Sequence, residues 1–151
     1  MKKLIVPLLF TLALAGCPSL PKPTDSSTPS GGSVTTDQQR ADVDAITAEA
    51  QRVAGLVKAG KINRTQAADM LGEFRLKRVG PNVIDDDSFA TYRRITVQRE
   101  SQRITQNEAH AIMETKLRDW RRRWVAMSPR PQNPAFTNFL LRLYNLPQLG
   151  Q

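Results

Sequence analysis

The chain contains one cysteine and one histidine, two residue types that often act as nucleophiles, general bases or metal ligands. Cys17 follows an apolar run in the stretch Leu-Ala-Gly-Cys, and His110 stands far from it in the sequence. A lone cysteine cannot form an intramolecular disulfide, and a zinc site needs three or four ligands. The two residues therefore indicate separate roles, and the role of Cys17 depends on the residues around it.

The first 16 residues have the layout of a secretory signal peptide. Lys2 and Lys3 provide a positive start, Leu4–Leu14 carry no charge, and small residues precede Cys17. The alternatives are a membrane anchor helix or a buried core helix. The apolar run is shorter than the ~20 residues that cross a bilayer core. A proline-rich stretch after Cys17 would also stop a helix from continuing.

Leu14-Ala15-Gly16-Cys17 resembles the lipobox of bacterial lipoproteins. The resemblance implies cleavage before Cys17, a diacylglycerol on its sulfur and an acyl chain on the new amine, with no other cofactor. Lipid chains of this kind hold a protein at a membrane surface. In lipoproteins of the enterobacterial type, an Asp after the cysteine favours the inner membrane. Pro18 and Ser19 stand here, so we expect the protein at the periplasmic face of the outer membrane, with the inner membrane as the alternative location. The alternative role for Cys17 is a free structural cysteine.

Composition divides the chain into four parts. Residues 1–16 are the predicted signal peptide, and residues 17–35 are the lipidated cysteine and a linker rich in Pro, Ser, Thr and Gly. Such a linker buries too little apolar surface to fold, so we expect a flexible tether. Residues 36–145 are long enough for one small domain, and residues 146–151 form a tail.

Helical periodicity dominates residues 36–145, which predicts an all-α fold. Apolar residues recur every three or four positions in segments 43–57 and 67–74, in a segment after Asp87, and in 109–127. Asn133-Pro134 is a favourable start for a short final helix, with Asn133 as N-cap.

An internal repeat sets the expected architecture. KINRTQAADML, which begins at Lys61, aligns with RITQNEAHAIM, which begins at Arg103, at an offset of 42 residues (103 − 61 = 42). Each copy places an isoleucine before a capping box, so each predicts a tight turn that leads into a helix. We expect a small bundle of two αα-hairpins plus the short C-terminal helix. The stretch Gly60 to Ala67 also resembles short C-terminal (SHOCT) domains, which implies a helical hairpin that associates with other proteins.

The chain is basic, with 22 Lys and Arg against 14 Asp and Glu, and the densest part is RDWRRRW. One interpretation is that the two tryptophans pack in the core and the basic residues lie on the solvent-exposed side of the same helix. The other is a basic surface for anionic lipid headgroups, cell-wall acid groups or an acidic partner. The candidate binding residues on this arginine face are Arg118, Arg121, Arg122 and Arg123.

The sequence gives little indication of catalysis. His110 has no identifiable Ser or Cys partner, and Asp85-Asp86-Asp87 do not match a calcium-loop spacing. We expect these acidic residues to begin a helix, where they favour the helix dipole. Sequence motifs of common hydrolases, zinc proteases and nucleotide-binding loops are absent from the chain. We therefore predict no enzyme activity and no metal.

By analogy with other small helical lipoproteins, we expect a non-catalytic binding or adaptor module of an envelope assembly or secretion machine, comparable to a pilotin. We expect an envelope protein partner and no nucleic acid. The expected binding surfaces are a groove between the hairpins and a C-terminal stripe that could instead pack on its own core: Phe136, Phe139, Leu140 and Leu143. The alternatives are a structural tether to anionic lipid or peptidoglycan, and an accessory lipoprotein of a mobile element in conjugation, exclusion or lysis.

Overall fold

A computed structural model describes residues 35–150. The predicted signal peptide, the lipidation site Cys17 and the linker up to residue 34 lie outside the described residues. Within the described part the chain forms helices and no strands, which confirms the all-α prediction. The helices are α1 (Thr36–Lys58), α2 (Arg64–Val79), α3 (Val83–Glu100), α4 (Gln106–Ala126) and α5 (Ala135–Leu143). None of them combines the length and apolar composition that a bilayer-crossing helix needs.

The two copies of the sequence repeat form the same turn. Gly60 has φ 67° and Gln102 has φ 56°, so both occupy the left-handed conformation that ends a helix. The amide of Lys61 donates to the carbonyl of Leu56, and that of Arg103 donates to Gln98, as in a Schellman motif. These equivalent hydrogen bonds confirm the repeat and the two predicted hairpins, α1–α2 and α3–α4.

A capping box follows each turn, as the sequence predicts. The Asn63 side chain accepts the amide of Gln66, whose side chain accepts the amide of Asn63 in return. Thr105 and Glu108 make the same reciprocal pair at the start of α4. Both boxes satisfy amide groups that helix geometry would otherwise leave without partners.

The third helix begins with acidic residues, as expected. It starts at Val83, and Asp85 and Asp86 lie in its first turn, although the N-cap is Asn82 and not one of the aspartates. Asp86 is half-buried and pairs with the buried Arg75 guanidinium at 2.8 Å, which ties α2 to α3.

α5 lies in the core, and its start differs from the prediction. The expected N-cap, Asn133, does not cap α5; its side chain donates to Asp42 Oδ2 on α1 at 2.7 Å. The acceptor is instead Asp85 of α3, whose carboxylate receives the backbone amides of Phe136 at 3.1 Å and Thr137 at 2.8 Å. Asp85 is fully buried, and the carboxylate stabilises the positive end of α5.

The predicted tail is part of the fold. Leu149 is buried, and its backbone amide and carbonyl both bond the side chain of Asn138 on α5. The domain therefore continues past residue 145, because residues beyond α5 fold back along it.

Neighbouring helices pack in chain order, and α5 contacts α1, α3 and α4. It lies between the two hairpins over the first part of α3, where Phe136 meets the rings of Phe89 and Tyr92. Arg142 near the end of α5 bonds Asp44 at 2.7 Å and so joins α5 to α1. The core is a single hydrophobic cluster to which all five helices of the described region contribute side chains.

Candidate functional site

The groove predicted between the hairpins lies beside α5. The last turns of α3 form its floor, from Tyr92 to Arg99, and α5 ends at the same level. α1 and α2 form one wall, α4 forms the other, and Tyr144 after α5 closes one end. We call this surface the inter-hairpin groove.

A first cavity of about 250 Å³ lies on the side of the first hairpin. The side formed by α1 is apolar, and the small side chains Ala50, Ala54 and Ala67 leave the space open. The full lining is Ala50, Val53, Ala54, Val57, Arg64, Ala67, Leu71, Tyr92, Thr96 and Arg99. The cavity is large enough for an apolar side chain of a partner.

A second cavity of about 190 Å³ lies on the side of the second hairpin, across Tyr92, Thr96 and Arg99, which border both cavities. His110 stacks on Tyr144 here with ring centroids 4.5 Å apart. The His110 side chain is exposed, and its Nδ1 lies 3.7 Å from Glu114.

The lining of the two cavities follows the internal repeat. Adding 42 to lining positions 50, 53, 54, 57, 64 and 67 gives 92, 95, 96, 99, 106 and 109, which all line the second cavity. The two copies differ in side chain, since Ala50 is replaced by Tyr92 and Val57 by Arg99. Sequence reasoning missed Arg64, Arg99 and Tyr92 as groove residues, although the repeat contained the signal.

The groove opens at a basic end of the bundle. The amide of Arg64 donates to Glu100 Oε2 at 3.0 Å, so the two hairpin turns lie side by side. The segments 58–64 and 99–105 contain one acidic residue, Glu100. Their basic residues make no ion pair within the described part of the chain: Lys58, Lys61, Arg64, Arg99 and Arg103.

The two tyrosines of the groove stay uncharged over a wide pH range. Burial raises the pKa of Tyr92 and of Tyr144, because a phenolate is poorly solvated there. The groove thus presents neutral rings beside the cationic side chains of Arg64 and Arg99.

The arginine face of α4 is mostly neutralised by carboxylates. Arg118 pairs with Glu114 at 2.7 Å, while Arg122 and Arg123 share Asp119 at 3.3 and 2.7 Å. Of the four candidate arginines, Arg121 makes no ion pair within residues 35–150, and it borders a shallow cavity with Arg118 and Arg122.

The two tryptophans of this segment lie on the core side of α4. Trp120 is buried, and its indole donates to Asp87 Oδ2 at 2.7 Å. Trp124 is half-buried against the core. Both positions fit the interpretation of core tryptophans with a basic flank.

The C-terminal stripe packs mainly on its own core. Phe136, Phe139 and Leu140 are buried, so these three candidate residues lie away from the protein surface. Leu143 is 62% exposed and lines the second cavity of the groove. Leu140 also borders this cavity but is fully buried, so Leu143 is the member of the four that a partner could cover.

Residues 35–150 contain no group of three or more His, Cys, Asp or Glu side chains arranged to hold a metal ion. Comparison with protein-family models, curated proteins and solved structures finds no match for this chain. A function can therefore be inferred only from the sequence and from the geometry and chemistry of the groove.

Proposed function

We propose that this chain is a lipid-anchored periplasmic protein whose helical domain is a non-catalytic binding module for an envelope protein, such as an adaptor of an assembly or secretion machine. The lipid anchor is supported by the signal-peptide pattern and the lipobox resemblance around Cys17, and the outer membrane by Pro18 and Ser19 in place of an Asp after the cysteine. The observation that carries the binding role is the inter-hairpin groove, which joins apolar cavities to unpaired arginines.

The chemistry of the groove favours binding over catalysis. Its polar groups are neutral phenols, a threonine hydroxyl, the Gln106 amide, guanidinium groups and the exposed imidazole of His110, which has no Ser or Cys beside it in the lining. A guanidinium does not lose its proton in proteins, and a tyrosine with a raised pKa is a poor base near neutral pH. These groups donate hydrogen bonds and hold negative charge, which are the properties of a recognition surface.

A structural tether to anionic lipid or peptidoglycan is the second candidate. It is favoured by Arg121 of the arginine face and by Arg94 of α3, neither of which has a carboxylate partner in the described region. Reversing the charge of Arg121, Arg122 and Arg123 in the chain from residue 18 onward would then abolish its sedimentation with sacculi or anionic vesicles. Unchanged sedimentation, or none with the native sequence, would exclude this role.

The experiment for the lead proposal combines lipid labelling with site-specific crosslinking in the native envelope. Cells that express the full chain receive an alkyne fatty acid, and we expect a labelled protein whose label is lost in Cys17→Ser. A photo-crosslinking amino acid is then placed at Ala54 in the groove, or at Ala111, which is exposed on α4 outside both cavities.

We expect Ala54 to capture one dominant envelope protein and Ala111 to capture none. Failure of labelling would refute the lipid anchor. The binding module would be refuted if no protein were captured from any of three positions, the third being Arg121 on the arginine face.

A further inference from the structure

The shape of the groove limits what can fill it. α5 occupies the layer between the hairpins over the first part of α3 and ends where the second cavity begins. The open groove therefore continues this layer toward the hairpin turns. An element added there would lie on the last turns of α3, as α5 lies on the first.

The groove contains two cavities divided by a ridge of α3 side chains, Tyr92, Thr96 and Arg99. Two separate cavities fit two apolar side chains that project from one peptide backbone, as in groove recognition of amphipathic segments. Leu143 at the edge of the second cavity adds exposed apolar surface that such a peptide would cover.

The charges at the groove define the polar side of its ligand. The guanidinium of Arg64 has no hydrogen-bond or ion-pair partner within the described residues. The neighbouring carboxylate, Glu100, accepts the backbone amide of Arg64 and not its side chain. Arg99 donates only to the neutral Gln106 Oε1, at 3.2 Å. Arginine forms its strongest hydrogen bonds with carboxylates, so both side chains have unused capacity for an acidic ligand.

We infer that the inter-hairpin groove binds a short acidic, amphipathic segment of a partner protein. Two apolar side chains of the segment enter the two cavities, and its carboxylates pair with Arg64 and Arg99. The inference rests on the proposed binding role and adds the chemistry of the partner.

The test uses the full lipidated chain in nanodiscs of zwitterionic phosphatidylcholine and a displayed library of random peptides of about 12 residues, which is about three helical turns. Enriched peptides are synthesised, and their affinity is measured for three variants. Arg64→Glu with Arg99→Glu reverses the rim, and Ala54→Trp fills the first cavity. Arg94→Glu with Arg121→Glu makes the same charge change outside the groove.

We expect enriched peptides to carry two apolar residues and at least one Asp or Glu. Losing two charge-assisted pairs should raise Kd by about tenfold or more in the rim variant, whereas the control should change it less than about twofold. Ala54→Trp should weaken binding similarly, while Ala48→Trp, at an exposed α1 position outside the cavity, should not. Circular dichroism identifies any variant that fails to fold, and Arg64→Gln with Arg99→Gln then replaces the rim variant.

Three outcomes would overturn the inference: no enriched peptide, enriched peptides without acidic residues, or affinities that the rim variant leaves unchanged. Loss of binding to phosphatidylglycerol vesicles in the rim variant, with no peptide enriched, would assign the groove to lipid instead. If the crosslinker at Arg121 captures an envelope protein and the groove binds no peptide, the binding role stands and this inference fails.

Discussion

Asp85 is expected to be the residue whose removal most weakens the attachment of α5. Its carboxylate accepts two backbone amides of α5, from residues that are fully buried. Asp85→Ala would leave both amides without an acceptor, at about 1–3 kcal/mol each. Relief from burying a charge offsets part of this loss, so we expect the free energy of unfolding to fall by about 2–5 kcal/mol.

Urea unfolding followed by tryptophan fluorescence measures this loss, because Trp120 is buried in the core. Asp85→Asn retains one acceptor oxygen and should cost less, about 1–3 kcal/mol. Asp37→Asn is the control, since Asp37 also lies in the first turn of a helix but its side chain is 91% exposed. It should change the free energy by less than about 1 kcal/mol. An Asp85→Ala chain as stable as the native one would refute the assignment of Asp85 as the cap of α5.

The pH dependence of the difference in stability between the native chain and Asp85→Asn provides a second check. Burial raises the pKa of Asp85, so the folded chain binds a proton at this site at pH values where the unfolded chain has lost it. The contribution of Asp85 to stability therefore falls as pH rises from the ordinary Asp pKa through the folded pKa. The stability of the native chain relative to Asp85→Asn should decrease across this interval. If the stability difference between the native chain and Asp85→Asn instead increased with pH, the hydrogen bonds to Asp85 would lower its pKa more than burial raises it. The side chain would then be ionised in the folded chain.

Three further substitutions test the packing of the bundle, two by the same unfolding assay and one by proteolysis. Gln102→Gly should stabilise the chain by up to about 1 kcal/mol, and a lower stability would contradict this. Glycine relieves left-handed backbone strain of about 1–2 kcal/mol, which exceeds the entropic cost of ordering a glycine. Gly72→Ala should destabilise it by about 1–3 kcal/mol, since the new methyl group would collide with the Phe89 ring, and a neutral result would show that the ring moves freely. Asn138→Ala should release the segment around Leu149, seen as faster C-terminal proteolysis, and an unchanged digestion rate would argue against that anchor.

Local patterns in the sequence predicted the local parts of this fold well. The repeat gave both turns and both capping boxes, because each depends on residues three to five positions apart. The start of α5 was wrong because its cap, Asp85, lies 51 and 52 residues from the amides that it accepts. A helical period alone does not reveal such a partner.

The candidate site was predicted as a location and not as a set of residues. The sequence indicated a groove between hairpins, yet it directed attention to the densest run of arginines. Whether an arginine is available depends on its nearest carboxylates, and Asp119 neutralises two of that run in the folded chain. Arg64 and Arg99 are isolated in sequence, and they come together only because the two hairpin turns are adjacent.

The length of α1 determines where the groove stands relative to the point at which the chain enters the fold. α1 has 23 residues and therefore extends about 35 Å from Thr36, and it begins to line the groove only at Ala50. The groove and its basic rim thus start about 20 Å from that entry point and open at the far end of the helix. Because α1 packs on both α2 and α5, the bundle holds the start of the described chain and the groove apart at this separation, so a ligand in the groove lies away from the entry point at Thr36.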